Sequence, residues 1–163
     1  MGGASRSQRK GGGMDALPGI VHACCLVLVG ALMLVAAFID AKTRTYPNGL
    51  AAALFLVAFI GTLAGKGPGT AMHHALIALV IGVGFLIFEL IWRWLRASPG
   101  LGIGDIKFIA TAAIISPVGA LAGCALGLAC MALAATARRT RTMPLLPFLA
   151  PSCILSFLML YTG

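Results

Sequence analysis

Long apolar stretches separated by short polar connections dominate the chain. A helix needs about 20 predominantly apolar residues to cross the hydrocarbon core of a bilayer. We predict six transmembrane helices, with approximate ranges 20–39, 47–64, 71–92, 103–115, 117–137 and 144–161. The fourth stretch is short, and the Ser116-Pro117 pair predicts a tight turn into the fifth. Because the connections are so brief, we expect one all-α polytopic bundle.

Small residues recur within these stretches. The clearest series is Gly119-x-x-x-Gly123-x-x-x-Gly127, which places three glycines on one face of the fifth predicted helix. Membrane helices use such faces to approach one another closely. We therefore interpret this series as a helix-packing surface.

Composition agrees with a membrane protein, because 60% of the residues are apolar, 10% are charged and the mean hydropathy is +1.02. No polar stretch is long enough for a separate soluble domain. Residues 1–19 are Gly-rich and basic and are predicted to form a flexible tail. Its first 13 residues have the composition of a flexible tail or of an expression scar, which makes Met14 a candidate natural start. Residues 20–163 would form the membrane domain.

The net charge of +8 would suggest nucleic acid in a soluble protein. Here the basic residues cluster between apolar stretches and are not interleaved with aromatic residues. Membrane topology and anionic lipid headgroups explain them better, so we predict no nucleic-acid partner. The first, third and fifth connections hold seven of the basic residues, namely Lys42, Arg44, Arg93, Arg96, Arg138, Arg139 and Arg141.

By the positive-inside rule, these connections face the cytoplasm and the N-terminus lies outside. Arg6, Arg9 and Lys10 of the tail argue for the opposite orientation. We favour the orientation that the seven charges of the connections indicate, partly because Met14 is a candidate natural start and the tail charges precede it.

Cysteine spacing gives no sign of a metal or disulfide site. The five cysteines fall inside apolar stretches, without a CxxC pair or a histidine at ligand spacing: Cys24, Cys25, Cys124, Cys130 and Cys153. We interpret them as buried small apolar residues and predict no metal and no cofactor.

The four acidic residues differ in their surroundings. Asp15 lies in the tail and is expected to be solvated, whereas Glu89 lies four residues before Arg93, a spacing that favours an ion pair. Asp40 closes the first predicted helix and Asp105 opens the fourth, both on the predicted cytoplasmic side. An N-cap is the simplest role for Asp105, and an ion pair with a nearby basic residue is the simplest role for Asp40.

Two carboxylates at one membrane depth also suit aspartic-protease chemistry. One carboxylate activates water while the other protonates the substrate carbonyl. Gly102 and Gly104 leave open backbone beside Asp105, which would let an extended peptide approach. An ion-coupled transporter or channel using both acids, and a scaffold subunit in which they only cap helices, remain the alternatives.

The segments DAKTRTYPNGL, beginning at Asp40, and GIGDIKF, around Asp105, resemble the motifs of the type IV prepilin peptidase family. The resemblance implies that Asp40 and Asp105 are the catalytic pair of a membrane aspartic peptidase. Gly102 and Gly104 match the motif glycines, Lys107 matches the lysine that follows the second aspartate, and Pro47-Asn48 matches the turn after the first.

The resemblance also implies a substrate and a place. The substrate would be a prepilin with a class III signal peptide, cleaved between its basic leader and its hydrophobic helix at the cytoplasmic face of the bacterial inner membrane. MPLLPFLAP resembles the family's late proline-rich segment, with Leu146 where a glycine is usual. Family members that also N-methylate carry paired CxxC motifs. This chain has none, so it resembles the short, cleavage-only branch that serves tight-adherence (Flp) pili, or its archaeal preflagellin relatives.

Overall fold

The computed structural model describes residues 16–96, 101–138 and 144–162, and these form helices and short connections without a β-strand. The helices are α1 (Ala16–Thr43), α2 (Asn48–Arg96), α3 (Ile103–Ile115), α4 (Pro117–Arg138) and α5 (Leu146–Thr162). The predicted all-α class is confirmed. Our predictions for Asp15, the tail cations, Arg139 and Arg141 fall outside the described residues.

Helix α2 contains the main departure from the predicted helix pattern. Two helices and a connection over 65–70 were predicted, but only Gly67 has non-helical backbone angles (φ 82°, ψ 169°). A positive φ suits glycine, and Pro68 is tolerated because it opens the helical segment that follows. The first half of α2 runs parallel to α3, since Lys66 reaches Ile115 at the end of α3. The second half runs antiparallel, since Glu89 reaches Leu101 just before α3 begins.

Three helices are long and apolar enough to cross a membrane, namely Leu17–Thr43, Asn48–Arg96 and Pro117–Arg138. The segment Leu146–Tyr161 is a shorter apolar helix. Large apolar side chains such as Val80 and Leu133 are more than two thirds exposed on the outside of the bundle. The chain is therefore an integral membrane protein, with apolar side chains available to lipid.

Two smaller differences concern helix and side-chain positions. Helix α1 begins at Ala16, so residues 16–19 are helical although they were predicted to belong to the tail; Pro18 is compatible with a first helical turn. Cys124 and Cys153 are buried as predicted, whereas Cys24 and Cys130 are exposed on the bundle surface, so the prediction of burial was wrong for that pair.

Helix α3 lies at the centre of the bundle, and most of its side chains are buried. Its C-terminal carbonyl groups accept hydrogen bonds from side chains of α2: Thr62 and His74 contact Ile114 O at 3.2 and 3.0 Å, and Lys66 Nζ contacts Ile115 O at 3.0 Å. These contacts satisfy carbonyls that a helix end leaves without partners. They also define the end of the bundle opposite the N-terminus of α3.

The predicted glycine packing face is confirmed. A Cβ added to Gly123 would lie 2.6 Å from Cys153 Cα, and one added to Gly127 would lie 3.0 Å from Leu149 Cα. Gly119 faces the ring of Phe157, to which an added Cβ would lie as close as 2.7 Å. Gly123 and Gly127 therefore let the backbone of α5 approach closely, and Gly119 makes room for one of its side chains.

Candidate active site

Asp40 lies one turn before the end of α1, with its side chain directed into the bundle. The residue is 8% exposed. Its carboxylate accepts a hydrogen bond from the backbone N–H of Leu146 and is attracted electrostatically by Arg44. Leu146 is the first residue of α5, so the N-terminus of that helix supplies the donor. No ion pair joins Asp40 to a basic side chain within the described part of the chain.

Asp105 lies in the first turn of α3 and is half-buried. Its carboxylate turns back along the helix and accepts a hydrogen bond from the backbone N–H of Gly102, the N-cap residue. This contact is one half of a capping box, in which the third helical residue bonds to the N-cap N–H. A Cβ on Gly102 would lie 2.9 Å from Asp105 Oδ2, so the glycine makes room for this conformation.

The two carboxyl groups lie close enough to interact electrostatically. The C-terminal turn of α1 and the N-terminal turns of α3 and α5 therefore meet at one end of the bundle. Each carboxylate accepts a hydrogen bond from one backbone N–H, which Leu146 supplies to Asp40 and Gly102 supplies to Asp105. Two neighbouring carboxyl groups whose charges repel each other can divide into one acid and one base. The arrangement is chemically suited to acid–base catalysis on a bound peptide.

Tyr46 fills the space beside Gly104. A Cβ on Gly104 would lie 2.9 Å from Tyr46 Cβ, and the Tyr46 ring packs edge-on against Phe108 one turn further along α3. Gly104 thus allows the connection between α1 and α2 to lie directly on α3. Burial raises the pKa of Tyr46 to about 12. In this structure, Asp105 occupies the space beside Gly102, and Tyr46 occupies the space beside Gly104. The approach of a substrate peptide at these glycines stays a prediction.

The two sequence motifs are joined by a direct hydrogen bond. Lys107 Nζ donates to Asn48 Oδ1 at 2.8 Å. The carbonyl of Pro47 accepts the backbone N–H of Ala51 at 3.1 Å and so opens α2. Pro47-Asn48 therefore starts a helix and anchors that helix to the first turns of α3.

Glu89, in the second half of α2, binds the backbone that leads into α3. The residue is 1% exposed and accepts hydrogen bonds from Arg93 Nε at 2.6 Å and from the backbone N–H of Leu101 at 2.5 Å. The predicted pair with Arg93 is confirmed. The contact with Leu101, one residue before the N-cap of α3, was not predicted. It fixes the backbone that leads into the Asp105 turn.

The sequence alone missed three contributors to this site. Tyr46 was quoted within a motif without a role, and the proline-rich segment gave no hint that the backbone of Leu146 would reach Asp40. A backbone donor has no sequence signal of its own. Cys124 of α4 lies near enough to Asp105 to interact with it electrostatically, although it was treated only as an apolar residue.

Metal-binding side chains are not grouped in the described ranges, where no cluster of three or more His, Cys, Asp or Glu residues could hold an ion. The residues that meet at this end are two carboxylates, a phenol, an amide and a lysine.

Comparison with known proteins gives a match to a family. No curated protein and no solved structure matches the chain significantly. The model of the type IV leader peptidase family matches residues 27–160, which include both aspartates, the Pro47-Asn48 turn and the glycine motif. This match covers most of the chain and supports a prepilin leader peptidase function. The chain belongs to the type IV leader peptidase family.

Proposed function

We propose that this protein is an aspartic endopeptidase that cleaves prepilins at the cytoplasmic face of the inner membrane. The observation that carries the proposal is that the Asp40 and Asp105 carboxyl groups lie within electrostatic range of each other, at one end of a bundle that matches a leader peptidase family. A family match alone would leave the catalytic residues open. The proximity of two acids distant in sequence supports their assignment as the catalytic pair.

The proposed reaction is hydrolysis of one peptide bond. One carboxylate removes a proton from a water molecule, and the water oxygen attacks the carbonyl carbon. The other carboxyl group donates its proton to the carbonyl oxygen, giving a tetrahedral diol. When the diol collapses, the C–N bond breaks and the leaving nitrogen takes up the proton that the first carboxylate removed from water. The second carboxylate recovers a proton from a hydroxyl of the diol. The two aspartates titrate as a coupled pair, so we assign the roles of base and acid to the pair and not to either residue.

The placement of the site supports the substrate class that the family resemblance implies. Asp40 and Asp105 lie at one end of the bundle, while apolar side chains cover its outer surface. The hydrophobic helix of a class III signal peptide could lie in the bilayer against that surface while its basic leader reached the polar end. The positive connections 42–44, 93–96 and 138–141 support a cytoplasmic position for this end.

We further propose that all six helical segments cross the bilayer. Two of them are the halves of α2, which run in opposite directions on either side of Gly67. Helix α3 is only about 20 Å long at 1.5 Å per residue, shorter than the roughly 30 Å of the hydrocarbon core. Its burial among the other helices supports such a short span, because lipid does not surround it.

We also propose cleavage without N-methylation, as in the Flp branch. Family members that methylate carry paired CxxC motifs, and the printed sequence contains none. Mass spectrometry of the mature pilin would test this, since an unmodified N-terminal amine is expected even when a methyl donor is supplied.

A cleavage assay tests the proposed activity. Purified protein would be incubated with a prepilin and the products identified by mass spectrometry, alongside Asp40→Asn and Asp105→Asn variants shown to be folded. Lys42→Gln, which removes an exposed charge two residues from Asp40, is the matched control. We expect cleavage by the wild type and the control, unaffected by a chelator, and none by either Asn variant. Proton- or ion-dependent transport without cleavage would favour the transporter alternative instead.

A further inference from the structure

The connection between α1 and α2 contains a hydroxyl group without a partner. The Tyr46 hydroxyl is buried and makes no hydrogen bond, and it is the one such side-chain atom among the described residues. Buried polar groups in native structures are nearly always hydrogen-bonded, and an exception calls for a physical reason. In the same connection, Arg44 has a φ of 52°, in the left-handed region that non-glycine residues rarely adopt. Two unfavourable features therefore lie within three residues of each other.

The Tyr46 side chain begins beside the turn of α3 that carries Asp105. The Tyr46 side chain packs on Gly104, the residue before Asp105. Along the chain, Tyr46 lies between Asp40 and Asn48, and Asn48 is bound to α3 through Lys107. The connection is thus held at both ends to the elements that carry the two carboxylates.

The phenol is suited to donate a hydrogen bond. Burial raises its pKa to about 12, so it is protonated at neutral pH. A phenylalanine would make the same contacts with Gly104 and Phe108 without burying a polar atom. The hydroxyl therefore weakens the resting structure, and it would gain a hydrogen bond in a state that offers an acceptor.

We propose that the Tyr46 hydroxyl donates a hydrogen bond to a backbone carbonyl of the bound substrate peptide, next to the bond that Asp40 and Asp105 hydrolyse. This inference rests on the proposed peptidase function. An extended peptide offers carbonyl groups that its own backbone leaves unpaired. Since the hydroxyl is buried at rest, substrate binding would shift residues 43–47, and the left-handed Arg44 is the point where the backbone gains from moving. Tyr46 would then contribute to binding the transition state at the expense of resting stability.

The two tyrosines of the chain allow a matched test. Tyr161 lies at the opposite end of the bundle, and its hydroxyl is hydrogen-bonded to His22 Nε2. Tyr46→Phe removes a hydroxyl without a partner, whereas Tyr161→Phe removes one that is bonded. Thermal unfolding and prepilin cleavage would be measured on both purified full-length variants and the wild type.

We expect the two variants to change opposite properties. Tyr46→Phe should unfold at the same or a higher temperature than the wild type, yet show kcat/KM lower by about five- to tenfold, the equivalent of one lost hydrogen bond. Tyr161→Phe should unfold at a lower temperature and cleave at the wild-type rate.

Each other outcome has a distinct meaning. Cleavage by Tyr46→Phe at the wild-type rate would overturn the role of the hydroxyl and leave the peptidase function intact. A variant that is both less stable and less active would show that the hydroxyl is structural, which also contradicts the proposal. Absence of cleavage by the folded wild type would refute the peptidase function itself.

Discussion

Gly104 is the motif glycine whose replacement should disturb the site most directly. A Cβ at this position would lie 2.9 Å from Tyr46 Cβ, whereas ordinary contacts begin at 3.4 Å. The two groups must therefore separate by about half an ångström or more. Tyr46 Cβ is attached directly to the backbone, so a side-chain rotation cannot relieve the contact. Gly104→Ala must move the connection between α1 and α2 away from α3.

Two opposing effects determine how far Gly104→Ala changes the stability of the protein. Alanine has a higher helix propensity than glycine by about 1 kcal/mol, which would stabilise α3 if space were available. Overpacking of a tight contact costs about 1–3 kcal/mol, so the net effect on stability should be small or modestly destabilising. The effect on activity should be larger, because misplacement of reacting groups on the ångström scale can reduce a rate by about a hundredfold. We expect Gly104→Ala to cleave a prepilin roughly ten- to a hundredfold more slowly than the wild type.

Gly49 provides the matched control. It lies in the first turn of α2, next to Asn48, and a Cβ added there meets nothing within 4 Å. Gly49→Ala should therefore cleave at close to the wild-type rate. Initial cleavage rates of the three purified proteins would be compared at equal folded concentration. Equal rates for Gly104→Ala and Gly49→Ala would refute the argument that the close approach of Tyr46 positions the site.

Two further predictions concern stability. Glu89→Gln removes the charge that holds the Leu101 N–H, so we expect a loss of about 1–3 kcal/mol in the free energy of unfolding together with slower cleavage; unchanged denaturation would contradict this role. Gly123→Ala places a Cβ 2.6 Å from Cys153 Cα and should lower the thermal unfolding midpoint, whereas Gly84→Ala, which meets nothing within 4 Å, should not. Equal midpoints for the two alanine variants would argue against the glycine packing face.

The apolar pattern predicted the helices well because bilayer-sized apolar stretches have few alternative structures. The predicted range 103–115 coincides with α3. The change of direction between the two halves of α2 was predicted at about the right position, over residues 65–70. The sequence could not show that a single non-helical glycine suffices for it. The left-handed angle of Gly67 depends on the packing of both halves of α2 against α3, which no local pattern encodes.

The charged side chains of the candidate site could be predicted from the sequence. The groups that form hydrogen bonds with them could not. Asp40 and Asp105 stand out because acids are costly in an apolar chain. The sequence suggested an ion pair with a nearby basic residue for Asp40, yet the hydrogen bond comes from the backbone N–H of Leu146 at the start of α5. Any residue other than proline can supply that donor, so the presence of Leu146 where a glycine is usual does not disrupt this contact.

The packing of Tyr46 shows a similar limit. A tyrosine in a polar connection is ordinarily expected at the surface, with its hydroxyl in water. Its burial follows from the missing side chain of Gly104, a residue far away in the sequence. Such a contact becomes visible only when α1, α2 and α3 are assembled.

The most direct test of the central claim is a comparison of single and double substitutions in the proposed catalytic pair. Cleavage rates of one prepilin would be measured for Asp40→Asn, Asp105→Asn and the double variant, each with an unfolding midpoint close to that of the wild type. If the two carboxyl groups act as one unit, each single variant should be as inactive as the double variant, because the losses are not additive. Substantial cleavage by either single variant would contradict the assignment of Asp40 and Asp105 as a catalytic pair.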